Sequence, residues 1–177
     1  MGALEPWTGP GVRALSPDDL VPALRAEYPG ESELGLVRRA QAVSDVTINA
    51  AVDAGRTVMV ETVLSSKKFE ATVGRALATG FRFGLFYVVV GSPELNVGRV
   101  ADRVEQGGHD VSAELIRSRR IRSFAAFTWF AARASVGAVF DNSGEAPGLI
   151  AEKREGEAAW RSLDPLMLAT LGLHLAA

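Results

Sequence analysis

Apolar positions along the chain alternate between helical stripes and short β-rich runs, which predicts an α/β domain. Ser16–Glu27 reads as a short helix, with Ser16 as N-cap, Pro17 at the first helical position, and Asp18 and Asp19 well placed against the helix dipole. Leu20 and Leu24, with Val21 as a further candidate, form its apolar stripe, and Pro22 is a candidate kink. Tyr28-Pro29-Gly30-Glu31 breaks this helix, and Ser32–Ala54 follows as a longer one with Leu36, Val37, Ala40, Val43, Val46 and Ala50 at helical spacing. Val58–Leu64 and Phe81–Val90 are valine-rich runs typical of buried strands, separated by a crossover helix over Lys67–Ala78. A long helix near Ser112–Ala134, capped by Ser112 with Glu114 in its first turn, leads into a third strand at Val136–Phe140. The tail holds a strand at Leu149–Lys153, a polar turn at Arg154-Glu155-Gly156-Glu157 and a helix near Pro165–Leu173. Strands separated by helical crossovers predict one domain built on a doubly wound, mostly parallel sheet covered on both faces.

Composition narrows the functional classes. At 177 residues and 47% hydrophobic content, the chain is long enough to bury the core of a single domain. Nineteen basic against twenty-one acidic side chains leave a net charge of −2, so no global field draws the molecule to nucleic acid or to an anionic membrane. Neither is expected as a partner, and any anion binding must come from local clusters. The absence of cysteine excludes a disulfide framework and a thiolate metal site. The start, Met1-Gly2-Ala3-Leu4-Glu5-Pro6, lacks the basic and apolar regions of a signal peptide, and no run approaches the ~18 apolar residues of a membrane span, so the expectation is a cytoplasmic protein. Lys67, Lys68 and Lys153 are the lysines, which makes sixteen of the nineteen basic residues arginine. That bias suits phosphate binding and equally fits genomic base composition.

Open parallel sheets bind ligands beyond the carboxyl ends of their strands. Glu61-Thr62, Gly91-Ser92-Pro93 and Asp141-Asn142-Ser143 fall at three such ends, and Asp18 and Asp19 open a helix. Between residues 99 and 122 the chain supplies Arg99, Arg103, Arg117, Arg119, Arg120 and Arg122. Carboxylates facing guanidinium groups suit a reaction in which a hydroxyl loses a proton while a charged phosphate is transferred, because phosphoryl transfer is catalysed mainly by positioning and charge neutralisation. Each group also has a structural reading. The aspartates serve as first-turn acids, Glu61 as a paired structural acid, and the arginines as a solvated helix face. His109 follows a Gly-Gly turn and lacks a ligand partner at metal spacing, so it reads as a turn or lid residue, with no metal site expected. Phe124, Phe127, Trp129 and Phe130 read as core packing.

Over Ala14–Ile150 the order and spacing of several pieces resemble the zeta-toxin-like family of P-loop kinases. The pieces are Leu15-Ser16-Pro17-Asp18-Asp19-Leu20, Val60-Glu61-Thr62-Val63-Leu64-Ser65, Ser92-Pro93-Glu94-Leu95-Asn96, Arg99-Val100 through Arg119, and Asp141-Asn142-Ser143. The resemblance implies an ATP- and Mg2+-dependent kinase that phosphorylates a small-molecule hydroxyl, UDP-N-acetylglucosamine being the substrate type of toxin members. An antitoxin or self-association is the implied protein partner. Asp18 then stands where the catalytic base stands, and Arg103 and Arg119 where lid arginines neutralise the transferred phosphate. Asp19, Glu61 and Thr62 fall at substrate-binding positions, and Arg99 and Asn142 at nucleotide-binding ones. The chain departs from the family at Ser112, where proline is common, and at Arg120, where tyrosine is common.

The largest departure concerns the phosphate loop. The family's first strand and its G-x-x-x-x-G-K-[ST] loop precede the segment matching Leu15, and here that space holds Met1–Ala14, whose Thr8-Gly9-Pro10-Gly11-Val12-Arg13 has glycines but neither the lysine nor the hydroxyl. The expectation is a P-loop-kinase-like sheet without its first strand and Walker A loop, because Pro6, Pro10 and three glycines make Met1–Ala14 a poor central strand. Such a sheet would be re-closed by strands pairing across the gap or left with an edge that a partner covers. The rival reading is a non-catalytic remnant that binds a partner or a nucleotide sugar.

Overall fold

The computed structural model describes residues 14–106 and 110–175, in two compact units that divide between Thr62 and Val63. The glycine-rich Thr8–Arg13 segment and the Gly107-Gly108-His109 turn lie outside the described residues.

The first unit contains β1 (Ala14–Leu15), α1 (Pro17–Glu27), α2 (Glu33–Asp53) and β2 (Met59–Val60). The strands β1 and β2 pair in parallel, with Ala14 opposite Met59 and Leu15 opposite Val60. The Glu61 amide extends the ladder by donating to Leu15 O at 3.1 Å. The strand expected over Val58–Leu64 is thus shorter among the described residues, because its partner turns into α1 after Leu15. Ser16 takes the N-cap position with extended backbone but makes no side-chain cap bond, whereas Ser32 accepts from the Gly35 amide at 3.1 Å. Pro22 lies inside α1 without ending it. Leu36, Ala40, Ser44 and Ile48 form the buried stripe of α2 at steps of four. Val43 and Val46, expected on that stripe, are exposed, Val46 by 70%. Apolar residues wider than one face let the sequence fit two stripes, and packing of Leu36 and Ala40 with Val21 of α1 selects one.

The second unit contains α3 (Glu70–Ala78), β3 (Gly84–Val89), α4 (Pro93–Glu105), α5 (Ala113–Ala131), β4 (Val136–Asp141), β5 (Gly148–Lys153), β6 (Arg161–Ser162) and α6 (Pro165–Leu171). Its sheet has the order β3-β4-β5-β6. β3 and β4 are parallel from Gly84–Val136 to Val89–Asp141, whereas β4–β5 and β5–β6 are antiparallel. The single, mostly parallel sheet expected from the sequence is therefore replaced by two sheets, one of them mixed. A parallel return needs a crossover of roughly a dozen residues or more, and the 142–147 connection is too short to provide one. Among the described strands β2 does not pair with β3, so the expected re-closing across the gap is not what forms.

Tyr87 and Val89 of β3, Val139 of β4 and Ala151 of β5 form the core with Phe127 and Phe130 of α5, joined by Trp160 and Leu168. Phe127 is fully buried, with its ring centroid 4.7 Å from that of Tyr87 and 6.4 Å from that of Trp160. The aromatic group therefore acts as core, as its spacing indicated. β3 alternates between exposed and buried residues, and Val88 is 60% exposed, so this strand is not covered equally on both faces. Gly137 of β4 has no room for a side chain, since a Cβ there would run into Leu85 O and the Trp160 ring. Among the described residues no helix is long and apolar enough to cross a membrane.

Glu152 of β5 is a buried carboxylate whose side chain is 6% exposed, and it ion-pairs with Arg161 across the β5–β6 register and with Arg154 at 3.0 Å. The hydrogen bond from Arg161, aided by the charge of Arg154, holds its carboxyl below the usual carboxylate range. Because the folded-state pKa is depressed, this group stabilises the fold above its unfolded pKa, and the contribution fades as pH falls through the folded value. Urea denaturation should accordingly show Glu152→Gln less stable than wild type at pH 7, with the difference shrinking below about pH 4. A pH-independent difference would contradict the ion-pair role. Gly137→Ala should cost about 1–3 kcal/mol in the same measurement through overpacking against Trp160 and the β3 backbone.

Candidate functional site

Parallel strands release their next residues at one end, and both parallel pairs of this protein do so at candidate positions. In the first unit, Leu15 and Val60 end the β1–β2 register together. Ser16, Pro17 and Asp18 therefore leave from the same end as Glu61 and Thr62. Asp18 and Asp19 are exposed in the first turn of α1, next to its N-terminal amides. Glu61 and Thr62 are exposed too. Glu61 is not the paired, buried acid expected, because the strand ends before it and its side chain meets solvent.

In the second unit the ends of β3 and β4 are tied together closely. The Asn142 amide donates to Val89 O at 2.7 Å, carrying the ladder one step past the strands. The Gly91 amide donates to Ser143 Oγ at 2.6 Å, and Ser143 Oγ in turn donates to the Asp141 carboxylate, which also accepts from the Ser143 amide at 3.2 Å. A Cβ at Gly91 would lie 3.1 Å from Ser143 Oγ, so the close approach of the two strand ends favours glycine there. Ser92 then caps α4 by accepting from the Leu95 amide at 3.1 Å, with Pro93 in the first turn.

Arg120 of α5 reaches the same place. Its Nη1 donates to Val90 O at 2.6 Å and its Nη2 to Gly91 O at 3.4 Å, while the guanidinium stacks over Phe124 at 4.4 Å. Burial lowers its pKa, and the Tyr87 hydroxyl and the Glu94 carboxylate work in the opposite direction. Beneath it the Tyr87 hydroxyl and Ser123 Oγ are 2.8 Å apart. Burial pushes Tyr87 up to about 12, so it remains a neutral hydroxyl at physiological pH.

The arginines expected to meet a ligand lie on α4 and α5, the helices that follow the end of β3. Arg99 and Arg103 are one turn apart on α4, Arg99 half-buried and Arg103 exposed. Arg119, half-buried on α5, is the chain neighbour of Arg120 and so points about 100° away around the helix axis. None of the three forms an ion pair with another described residue. Asn142 is half-buried at the end of β4. The candidates thus fall into two groups, Asp18, Asp19, Glu61 and Thr62 in one unit and Arg99, Arg103, Arg119 and Asn142 in the other.

Arg120 and Ser143 were noted in the sequence but not as site residues, and they do most to fix the strand ends. Two signals pointed to them: Phe124 four residues after Arg120 offers a ring on the same helix face, and the Asp-x-Ser spacing after a strand is a turn-forming pattern. Sequence reasoning passed over α4 as a helix, although Ser92-Pro93-Glu94 is a strong start signal.

MgATP held by a phosphate loop does not fit the described residues. Lys67 and Lys68 precede α3, and Lys153 is buried opposite Gly137, at the other end of β4 from Asp141. None of them follows a glycine-rich strand-to-helix turn. Among the described residues no three His, Asp or Glu side chains are grouped to hold a metal ion. No family model matches the chain, and comparisons with curated proteins and with solved structures find no match either.

Proposed function

We propose that the chain carries the acceptor-binding and lid parts of a zeta-toxin-like kinase, and that it binds a phosphate-bearing small molecule with a free hydroxyl, of the nucleotide-sugar class. The observation behind this reading is the pairing of the strands. The pairs β1–β2 and β3–β4 are each parallel, and each delivers candidate residues at its carboxyl end, Asp18 and Glu61 in the first unit and Asn142 in the second, as the strands of such kinases do. The antiparallel β5 and β6 are additions beyond these pairs.

On this reading Asp18, exposed at the start of α1, accepts the proton of the substrate hydroxyl, and Asp19, Glu61 and Thr62 hold the acceptor. Arg103 and Arg119 offset the charge of the phosphate, and Arg99 and Asn142 contact a nucleotide. Phosphoryl transfer further needs a grip on the donor phosphates that the lysines of this chain do not supply. This favours the second reading, a domain that binds the acceptor without transferring phosphate. The two readings share the acceptor site and differ in turnover.

Calorimetric titration separates them. The chain should bind UDP-N-acetylglucosamine, more weakly when Arg103→Ala removes a charge-assisted contact of about 1.5–3 kcal/mol. MgATP should show no micromolar binding. Failure of the nucleotide sugar to bind would overturn the proposal, and micromolar MgATP binding would overturn the account of the missing loop. Where radiolabelled phosphate transfer is detected, Asp18→Asn should lower its rate ~10²–10⁴-fold with little change in acceptor affinity, and Asp19→Asn should do much less. Equal rates for Asp18→Asn and wild type would reject Asp18 as the base.

A further inference from the structure

We infer that Arg120 is a positioning residue, a clamp that sets the angle of α4 and with it the placement of Arg99 and Arg103. None of the residues of α4 is fully buried, and the helix packs mainly against α5, with Leu95, Val97, Val100 and Val104 half-buried. A helix held so lightly takes its direction from its first turn. That turn is the Gly91-Ser92 junction, and four bonds fix it. Arg120 donates to the carbonyls of Val90 and Gly91, Ser143 accepts from the Gly91 amide, and Ser92 caps the helix. Two of the four come from a single guanidinium on α5.

The guanidinium suits this task for geometric reasons. Its fork spans two successive carbonyls, which the single ammonium of lysine does not, and stacking on Phe124 fixes its plane. It makes no ion pair with a described carboxylate. The other link between the helices, Arg117–Glu94 at 3.5 Å, is exposed on both sides and contributes little.

Amide hydrogen exchange on the full chain tests the clamp without any ligand. Arg120→Gln and Arg120→Lys should both speed exchange across residues 93–105 by roughly tenfold, with β4 and β5 unchanged, and Arg117→Gln should leave it near wild type. Unchanged α4 exchange in Arg120→Gln would overturn the inference, as would an equal rise in β4 and β5 or an equal effect of Arg117→Gln. A second readout, resting on the nucleotide-sugar reading above, is the affinity for UDP-N-acetylglucosamine. Arg120→Lys should weaken it as much as Arg120→Gln does, and recovery of wild-type affinity by lysine would show that charge, not the span of two carbonyls, is what Arg120 supplies. If wild type binds no nucleotide sugar, the functional reading falls while the exchange measurement still decides the clamp.

Discussion

Parallel pairing of β3 with β4 is the constraint on which the second unit depends. Two parallel neighbours cannot be joined by a tight turn, so the chain from Val90 to Ser135 must leave one end of the sheet and return to the other. Among the described residues α4 and α5 fill that crossover. The second of them, α5, meets the sheet with Phe127 and Phe130 and seals the core against Tyr87 and Trp160. Each fully buried aromatic ring contributes on the order of 2–3 kcal/mol by leaving water, which is enough to fix α5 and leave α4 as the lightly held partner.

Fixing α5 also determines the chemistry of the strand ends. The face of α5 that carries Phe127 into the core carries Ser123 to the Tyr87 hydroxyl, and one turn earlier it carries Arg120 to the Val90 carbonyl. A backbone carbonyl next to a buried valine would be costly without a donor, and the guanidinium supplies one from a neighbouring helix. Polar satisfaction of the β3 end and placement of positive charge there are thus one event. Ser143 does the same from β4 by joining the Gly91 amide to the Asp141 carboxylate.

The first unit follows the same logic on a smaller scale. The β1–β2 register brings Asp18 and Glu61 to the same end of a two-residue ladder, and α2 buries a narrow stripe against α1. Acids stand at the carboxyl end of one parallel pair, and arginines stand on the helices that follow the other.

The sequence by itself determined most of the helices, α4 excepted, because caps and periodicity are local. Ser112 caps where its position indicates, Ser16 takes the N-cap position without a side-chain bond, and the limits of α1, α2, α5 and β4 lie within a few residues of those expected. It also determined that Asp18 opens a helix and that Glu61 falls at a strand end. Only the tertiary structure decided which strands pair and in which direction, since pairing joins residues far apart in the chain and an apolar run fits a parallel and an antiparallel neighbour equally well. It likewise decided which face of α2 is buried, leaving Val46 exposed, and which arginine of the 117–122 run turns inward. Neighbouring positions on a helix differ by about 100°, so packing of Phe127 sends Arg120 to the β3 carbonyls and Arg119 elsewhere, a choice that composition and spacing leave open.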